Sequence, residues 1–200
     1  MPDLVYTANV SVDGYTEDTD GRLDWTAPDE EVFSFITQLE TQVGTYLYGR
    51  RMYEAMLVWG SQIPVLKQIR EGYVQQFAEM WRGADKVVFS RTLKSVSGER
   101  TRLENEFDTE GVGRLKRALD RNLTIGGANL AGQALIAGLV DEIRLFVVPV
   151  VLGGGKPWLP SGVGLRLRQL EARRFACGVV YLRYRTDALT SAPFVSLPGI

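Results

Sequence analysis

Two hundred residues suffice for one domain with a substantial core. Apolar residues at 45% and charged residues at 24% are globular proportions, which excludes a disordered chain. The 23 basic and 24 acidic side chains leave a net charge of −1, which excludes a broad basic face for nucleic acid.

In chain order, the first predicted element is a strand. Leu4, Tyr6, Ala8, Val10 and Val12 alternate with Val5, Thr7, Asn9, Ser11 and Asp13, so one face is apolar and the other polar after Val5. A polar, glycine-containing stretch runs from Gly14 to Trp25. Thr26 then stands at an N-cap position, with Pro28 and Asp29 in the first turn of a helix over 28–43 carrying Val32, Ile36, Leu39 and Val43. Gly44 is expected to end it. A short strand covers Thr45 to Tyr48, and Gly49 breaks before a helix over Arg50 to Trp59. Leu66, Ile69, Tyr73, Phe77 and Met80 mark a third helix. Lys86 to Phe89 forms a strand closed by Ser90.

The polar segment 92–106 predicts a weak strand near Arg100 to Leu103. Asp108 or Thr109 caps a helix with Val112, Leu115 and Leu119 on its apolar face. Leu123 to Ile125 is a strand stopped by Gly126-Gly127, followed by a helix from Ala128 to Gly138. Ile143 to Val151 is almost continuously apolar, the pattern of a strand buried on both faces. After Gly153-Gly154-Gly155, the runs Leu165 to Phe175 and Val179 to Tyr184 flank Gly178 as a hairpin. Residues 1–187 therefore read as one α/β domain with a mostly parallel central sheet and an antiparallel C-terminal hairpin, and 188–200 as a tail.

The absence of histidine removes the Ser-His-Asp triad, the Cys-His pair and most catalytic zinc sites, so no metal is expected. A single Cys177, read as a small hydrophobe, excludes an internal disulfide. A reaction whose hard chemistry belongs to a borrowed cofactor suits this inventory. Met1-Pro2-Asp3 lacks the pattern of an export signal and no apolar run reaches membrane-spanning length, so the expected location is cytoplasmic, without a membrane partner.

Three strand-to-helix junctions offer anion sites. At Gly49-Arg50-Arg51-Met52-Tyr53, a glycine admits a ligand close to the backbone and two arginines offer forked donors for phosphate. At Ile125-Gly126-Gly127-Ala128-Asn129-Leu130, paired glycines free backbone amides at a helix start. At Phe89-Ser90-Arg91, a hydroxyl and a guanidinium close a strand, where ligands of open α/β sheets gather.

With Ser11-Val12-Asp13-Gly14-Tyr15, these junctions fall in an order and spacing that resembles the dihydrofolate reductase-like three-layer fold. The segments Val140-Asp141-Glu142-Ile143 and Val148-Pro149-Val150-Val151-Leu152-Gly153-Gly154-Gly155 resemble the branch that includes the reductase domain of riboflavin biosynthesis. The resemblance spans about residues 3–187. It implies NADPH binding and hydride transfer to a small heterocyclic or ribosylamino-pyrimidine-like substrate. Thr7 and Ala8 would lie beside the nicotinamide, and Gly14 and Tyr15 in the loop over it. Gly49 to Met52 and Ile125 to Leu130 would hold the phosphates, while Arg50, Ser90 and Arg91 would select the 2′-phosphate.

Asp29, Glu30 and Glu31 all stand in the first turn of the first helix, with Phe33 and Phe35 next and no acid one turn further in. A true dihydrofolate reductase places its substrate-binding carboxylate there. That enzyme, and a non-catalytic NADP-binding module, stand as alternatives. The substrate-facing set is Asn9, Ser11, Trp25, Tyr53, Trp59 and Lys156, with the aromatics as a slot for a ring and Lys156 for a substrate phosphate. Asp13 is the candidate acid. Val147, Val148, Val150 and Val151, with the closing strands, suit a homodimer.

Overall fold

The computed structural model describes residues 1–60 and 72–187. The strands are β1 (Leu4–Ser11), β2 (Tyr15–Glu17), β3 (Val43–Gly49), β4 (Asp85–Phe89), β5 (Thr101–Glu104), β6 (Asn122–Gly126), β7 (Glu142–Val148), β8 (Lys156–Pro157), β9 (Arg166–Arg174) and β10 (Val180–Asp187). The helices are α1 (Glu30–Glu40), α2 (Arg50–Met56), α3 (Gly72–Gly83), α4 (Thr109–Ala118) and α5 (Ala128–Ile136), with 3-10 turns at Asp24–Thr26 and Leu57–Trp59. Among the described residues no helix is long and apolar enough to cross a membrane.

Eight strands form one sheet in the order β5-β4-β3-β6-β1-β7-β10-β9. The first six run parallel, β10 pairs antiparallel with β7, and β9 antiparallel with β10. Because side chains alternate across a strand, β1 serves two layers. Leu4, Tyr6, Ala8 and Val10 join Leu47, Ile125, Val112 of α4 and Ala131, Ala134 and Leu135 of α5 in one core. The opposite face packs Tyr46 and Tyr48 against Tyr53, Phe77 and Trp81, and Phe146 and Tyr181 against Val32 of α1. The result is the three-layer α/β arrangement expected, with the antiparallel hairpin closing one side.

Several boundaries differ for local reasons. Asp29, not Thr26, caps α1, its carboxylate accepting from the Val32 amide at 2.9 Å. Thr26 instead closes the preceding 3-10 turn, donating its hydroxyl to the Leu23 carbonyl. Helix α1 ends at Glu40, and Val43 and Gly44 already belong to β3. Pairing with β6 across Val43↔Asn122 outweighs Val43's place in the helical pattern. The strand expected to reach Val151 stops at Val148, leaving Val151 68% exposed. Leu66 and Ile69 of the third expected helix, and the tail over 188–200, lie outside the described residues.

A small second sheet pairs β2 with β8 inside what reads in sequence as plain loop. Gly155, with φ at +134°, leads into β8, and a Cβ there would meet the Glu17 carbonyl oxygen at 1.9 Å. The two loop backbones therefore touch where only glycine fits.

Candidate functional site

The three junctions stand side by side at the carboxyl edge of the sheet. Register pairs Tyr48 with Gly126 and Gly49 with Phe89, so Gly49, Ser90 and Gly126 lie on neighbouring strand ends. The strands are pulled close: a Cβ on Gly126 would sit 2.8 Å from Met52 Cγ and 3.0 Å from the Tyr48 ring. Helix α5 begins directly behind this contact, and no side chain caps its first-turn amides. Uncapped N–H groups at a helix start carry partial positive charge toward the strand edge. Helix α2 has seven residues, so its end adds less through its dipole than through its arginines.

Those arginines occupy different positions. Arg50 pairs with Glu54 at 2.8 Å and donates to Thr92 Oγ1 at 3.1 Å. Arg91 pairs with Glu106 at 3.0 Å. The Ser90 hydroxyl oxygen accepts from the Thr92 and Leu93 amides, which shapes the turn between them. Arg50, Arg91 and Thr92 are exposed around the buried Ser90, and together they form one basic and hydroxyl-bearing corner. Arg51 turns the other way and pairs with Glu17 at 2.7 Å. Of residues 125–130, Ile125, Ala128 and Leu130 bury their side chains in the core, leaving backbone groups as their means of contact; Asn129 is exposed.

Thr7 and Asn9 share the face of β1 opposite Tyr6 and Ala8. Thr7 Oγ1 is buried and has no hydrogen-bond partner among the described residues. It lies one residue beyond the Tyr6↔Ile125 pairing, beside the Gly126 turn. A buried hydroxyl left unpaired costs about 1–3 kcal/mol. Ala8 points its side chain into the α5 core and offers only its backbone to that face.

Asn9 opens into a cavity of about 180 Å³ between the start of α1, the ends of β1 and β7, and the β9–β10 turn. Asp29 and Val32 of α1, Phe146 and Val148 of β7, and Val179 complete its walls. The Asn9 carboxamide has no hydrogen-bond partner among the described residues.

Other residues expected at the substrate have different surroundings. Tyr53 is buried, donating its hydroxyl to the Ser97 carbonyl at 2.9 Å and accepting from the Ser97 amide at 2.7 Å. Trp59 stacks on Phe33, ring centres 5.6 Å apart, inside the α3 core. Trp25 donates its indole N–H to Arg22 O at 3.3 Å and is not on the cavity wall. The expected aromatic slot is therefore not assembled, because two of its rings are core and the third braces a 3-10 turn. Lys156 lies 3.6 Å from the Glu17 carboxylate.

Ser11 is buried and accepts from the Tyr15 amide at 2.9 Å, starting the loop at Gly14 and Tyr15. Asp13, expected as an acid, accepts from the Leu152 and Gly153 amides at 3.1 and 2.7 Å. The Ser11 hydroxyl and those amides hold its carboxyl below the usual range, which favours the ionised form. An exposed, ionised carboxylate that ties two loops is a poor proton donor at neutral pH. The cavity walls at Phe146, Val148 and Val179 carry no polar signature in sequence; only their position at strand ends could have marked them.

The chain matches the model of the RibD C-terminal domain family over residues 2–181. It belongs to that family. It is similar to the uncharacterized protein YyaP of Bacillus subtilis, 32% identical over 183 residues covering 90% of this chain and 93% of that protein. Among solved structures it resembles a putative riboflavin biosynthesis protein from Shewanella sp. PV-4, with a TM-score of 0.71, 19% identity, and coverage of 92% and 99%. It also resembles a diaminohydroxyphosphoribosylaminopyrimidine deaminase/5-amino-6-(5-phosphoribosylamino)uracil reductase from Thermotoga maritima. That match has a TM-score of 0.61, 16% identity, and coverage of 93% of this chain and 57% of the other.

Proposed function

We propose that this member of the RibD C-terminal domain family is an NADPH-dependent reductase that delivers hydride to a small heterocyclic or imine-like substrate. The observation that carries the reading is the unpaired, buried Thr7 hydroxyl between the Gly126 turn and the Asn9 cavity. The residues present suit the cofactor: Arg50, Ser90 and Arg91 would hold the 2′-phosphate, the α5 start and Gly49 the pyrophosphate, and Thr7 the carboxamide. When bound, the cofactor supplies a hydride. The chain itself would bind, orient and exclude water; the exposed ion pairs of Arg50 and Arg91 contribute only about 0–1 kcal/mol each, so both guanidiniums could leave their carboxylates to make forked, charge-assisted bonds to a phosphate.

A true dihydrofolate reductase is disfavoured by α1. Its buried carboxyl, Glu40, is the last of eleven helical residues, about 15 Å along the axis from the cavity end. The test is titration of NADPH into wild type and Arg50→Ala, followed by NADPH oxidation with a panel of pyrimidines and pterins. Wild type should bind and prefer NADPH over NADH, and Arg50→Ala should lose most of that preference. Undetectable NADPH binding by wild type refutes the proposal.

A further inference from the structure

The cavity beside Asn9 differs chemically from a pocket for a phosphorylated nucleoside. Its volume of about 180 Å³ is below the roughly 300–1,000 Å³ of sites that enclose larger ligands. One planar ring fits that space. Among the described residues no lysine or arginine lines it, while Asp29 does.

The surrounding charges continue this pattern. The positive end of α1 is already answered by the Asp29 carboxylate on the Val32 amide, with Glu30 and Glu31 in the same turn. Arg173 is committed to Glu31 at 3.1 Å and lies over the Phe35 and Phe175 rings. Lys156, the cation expected to meet a phosphate, faces Glu17. Among the described residues, a phosphate here would meet the Asp29 carboxylate with no cation on the cavity wall to offset it.

Among the described residues on the wall, Asn9 supplies the carboxamide. A carboxamide presents a donor and an acceptor side by side, the complement of an –NH–C(=O)– edge. We propose that the cavity takes an uncharged, unphosphorylated single-ring heterocycle with such a lactam edge. The inference rests on the reductase reading for its meaning in catalysis, but concerns ring recognition alone.

Two probe pairs test it on the full chain: uracil against orotate, which adds one carboxylate to the same ring, and uridine against uridine 5′-monophosphate. Binding is measured by calorimetry and by the Asn9 side-chain amide resonance. Each neutral member should bind about tenfold or more tightly than its anionic partner. Asp29→Asn preserves the cap, because asparagine caps about as well as aspartate, and should shrink both gaps. Asn9→Leu should abolish uracil binding while leaving the melting temperature near wild type.

Equal or tighter binding of the anionic partners overturns the inference, as does failure of every probe to perturb Asn9. NADPH is titrated into the same samples. Protein that binds uracil but not NADPH loses the reductase reading and keeps the ring site. Protein that binds NADPH but no ring loses this inference alone.

Discussion

Gly126→Ala tests the junction at its tightest point. The new Cβ would lie 2.8 Å from Met52 Cγ, 3.0 Å from Tyr48 Cδ1 and 3.1 Å from Tyr48 Cε1. Met52 yields little there, because Cγ is near the base of its side chain. Tyr48 yields less: it is 2% exposed, and its hydroxyl accepts from the Trp81 indole at 3.2 Å. Overpacking of this kind costs about 1–3 kcal/mol. Replacing glycine returns about 0.4–1 kcal/mol through the unfolded chain. The middle of both ranges leaves a net loss of about 1.3 kcal/mol, a fall in Tm of about 3–5 °C for a domain of this size. NADPH affinity should fall as well, because relief of the clash must move the α5 start or the α2 junction. Gly49→Ala is the control for stability alone, since its Cβ would have Leu130 Cβ as nearest neighbour at 4.0 Å. Urea denaturation and quenching of NADPH fluorescence read the two effects. Unchanged stability in Gly126→Ala would refute the packing argument. Lost stability with unchanged NADPH affinity would remove this junction from the phosphate site.

Thr7→Val removes an unpaired buried hydroxyl without changing shape, so it should stabilise the chain by about 1 kcal/mol and weaken NADPH binding severalfold. A destabilised variant would mean the hydroxyl has a partner. Glu40 is buried with Oε2 unpaired, and desolvation raises its carboxyl pKa despite a hydrogen bond from Tyr46 and the nearby Arg144 charge. The folded chain keeps that proton after the unfolded chain has lost it, so stability falls as pH rises from the ordinary carboxylate range through the folded pKa. Glu40→Gln should remove this slope in urea denaturation, and its advantage over wild type should grow with pH; a constant difference would refute the assignment. Asp13→Asn should leave the reductase rate within a few-fold and its pH profile unmoved. A loss of about 10²–10⁴ with normal NADPH binding would restore Asp13 as the acid.

Much of the fold was legible because hydrophobic period and turn chemistry agree along most of the chain. The β1 alternation, the Gly126-Gly127 stop before α5 and the Gly178 hairpin each express a local preference that the packed structure keeps. The failures lie where a distant partner decides. Val43 fits the helical pattern, yet β6 takes it into the sheet. The β2–β8 pairing joins residues about 140 positions apart through three-residue and two-residue strands. Such short segments carry too little periodicity to register.

The strand-end junctions proposed to hold the cofactor come together in the fold as neighbours, whereas the cavity wall did not show in the sequence, for a physical reason. Backbone contact with phosphate requires glycines at strand ends and cations nearby, and both are visible as residue types. Ring recognition needs walls, and walls are built from the same valines and phenylalanines that fill the core. Residue type alone also hides which charges are already spent. Arg51 and Lys156 look like free cations in sequence, but Glu17 faces both, at 2.7 and 3.6 Å, from a side chain 13% exposed. That single carboxylate ties the loop after β1 to α2 on one side and β8 on the other. A cation engaged this way contributes to loop position before it contributes to ligand affinity. The net charge available to a ligand is therefore set by pairing in three dimensions, so a lysine or arginine read from the sequence counts toward a ligand site only after its own carboxylate partner has been found.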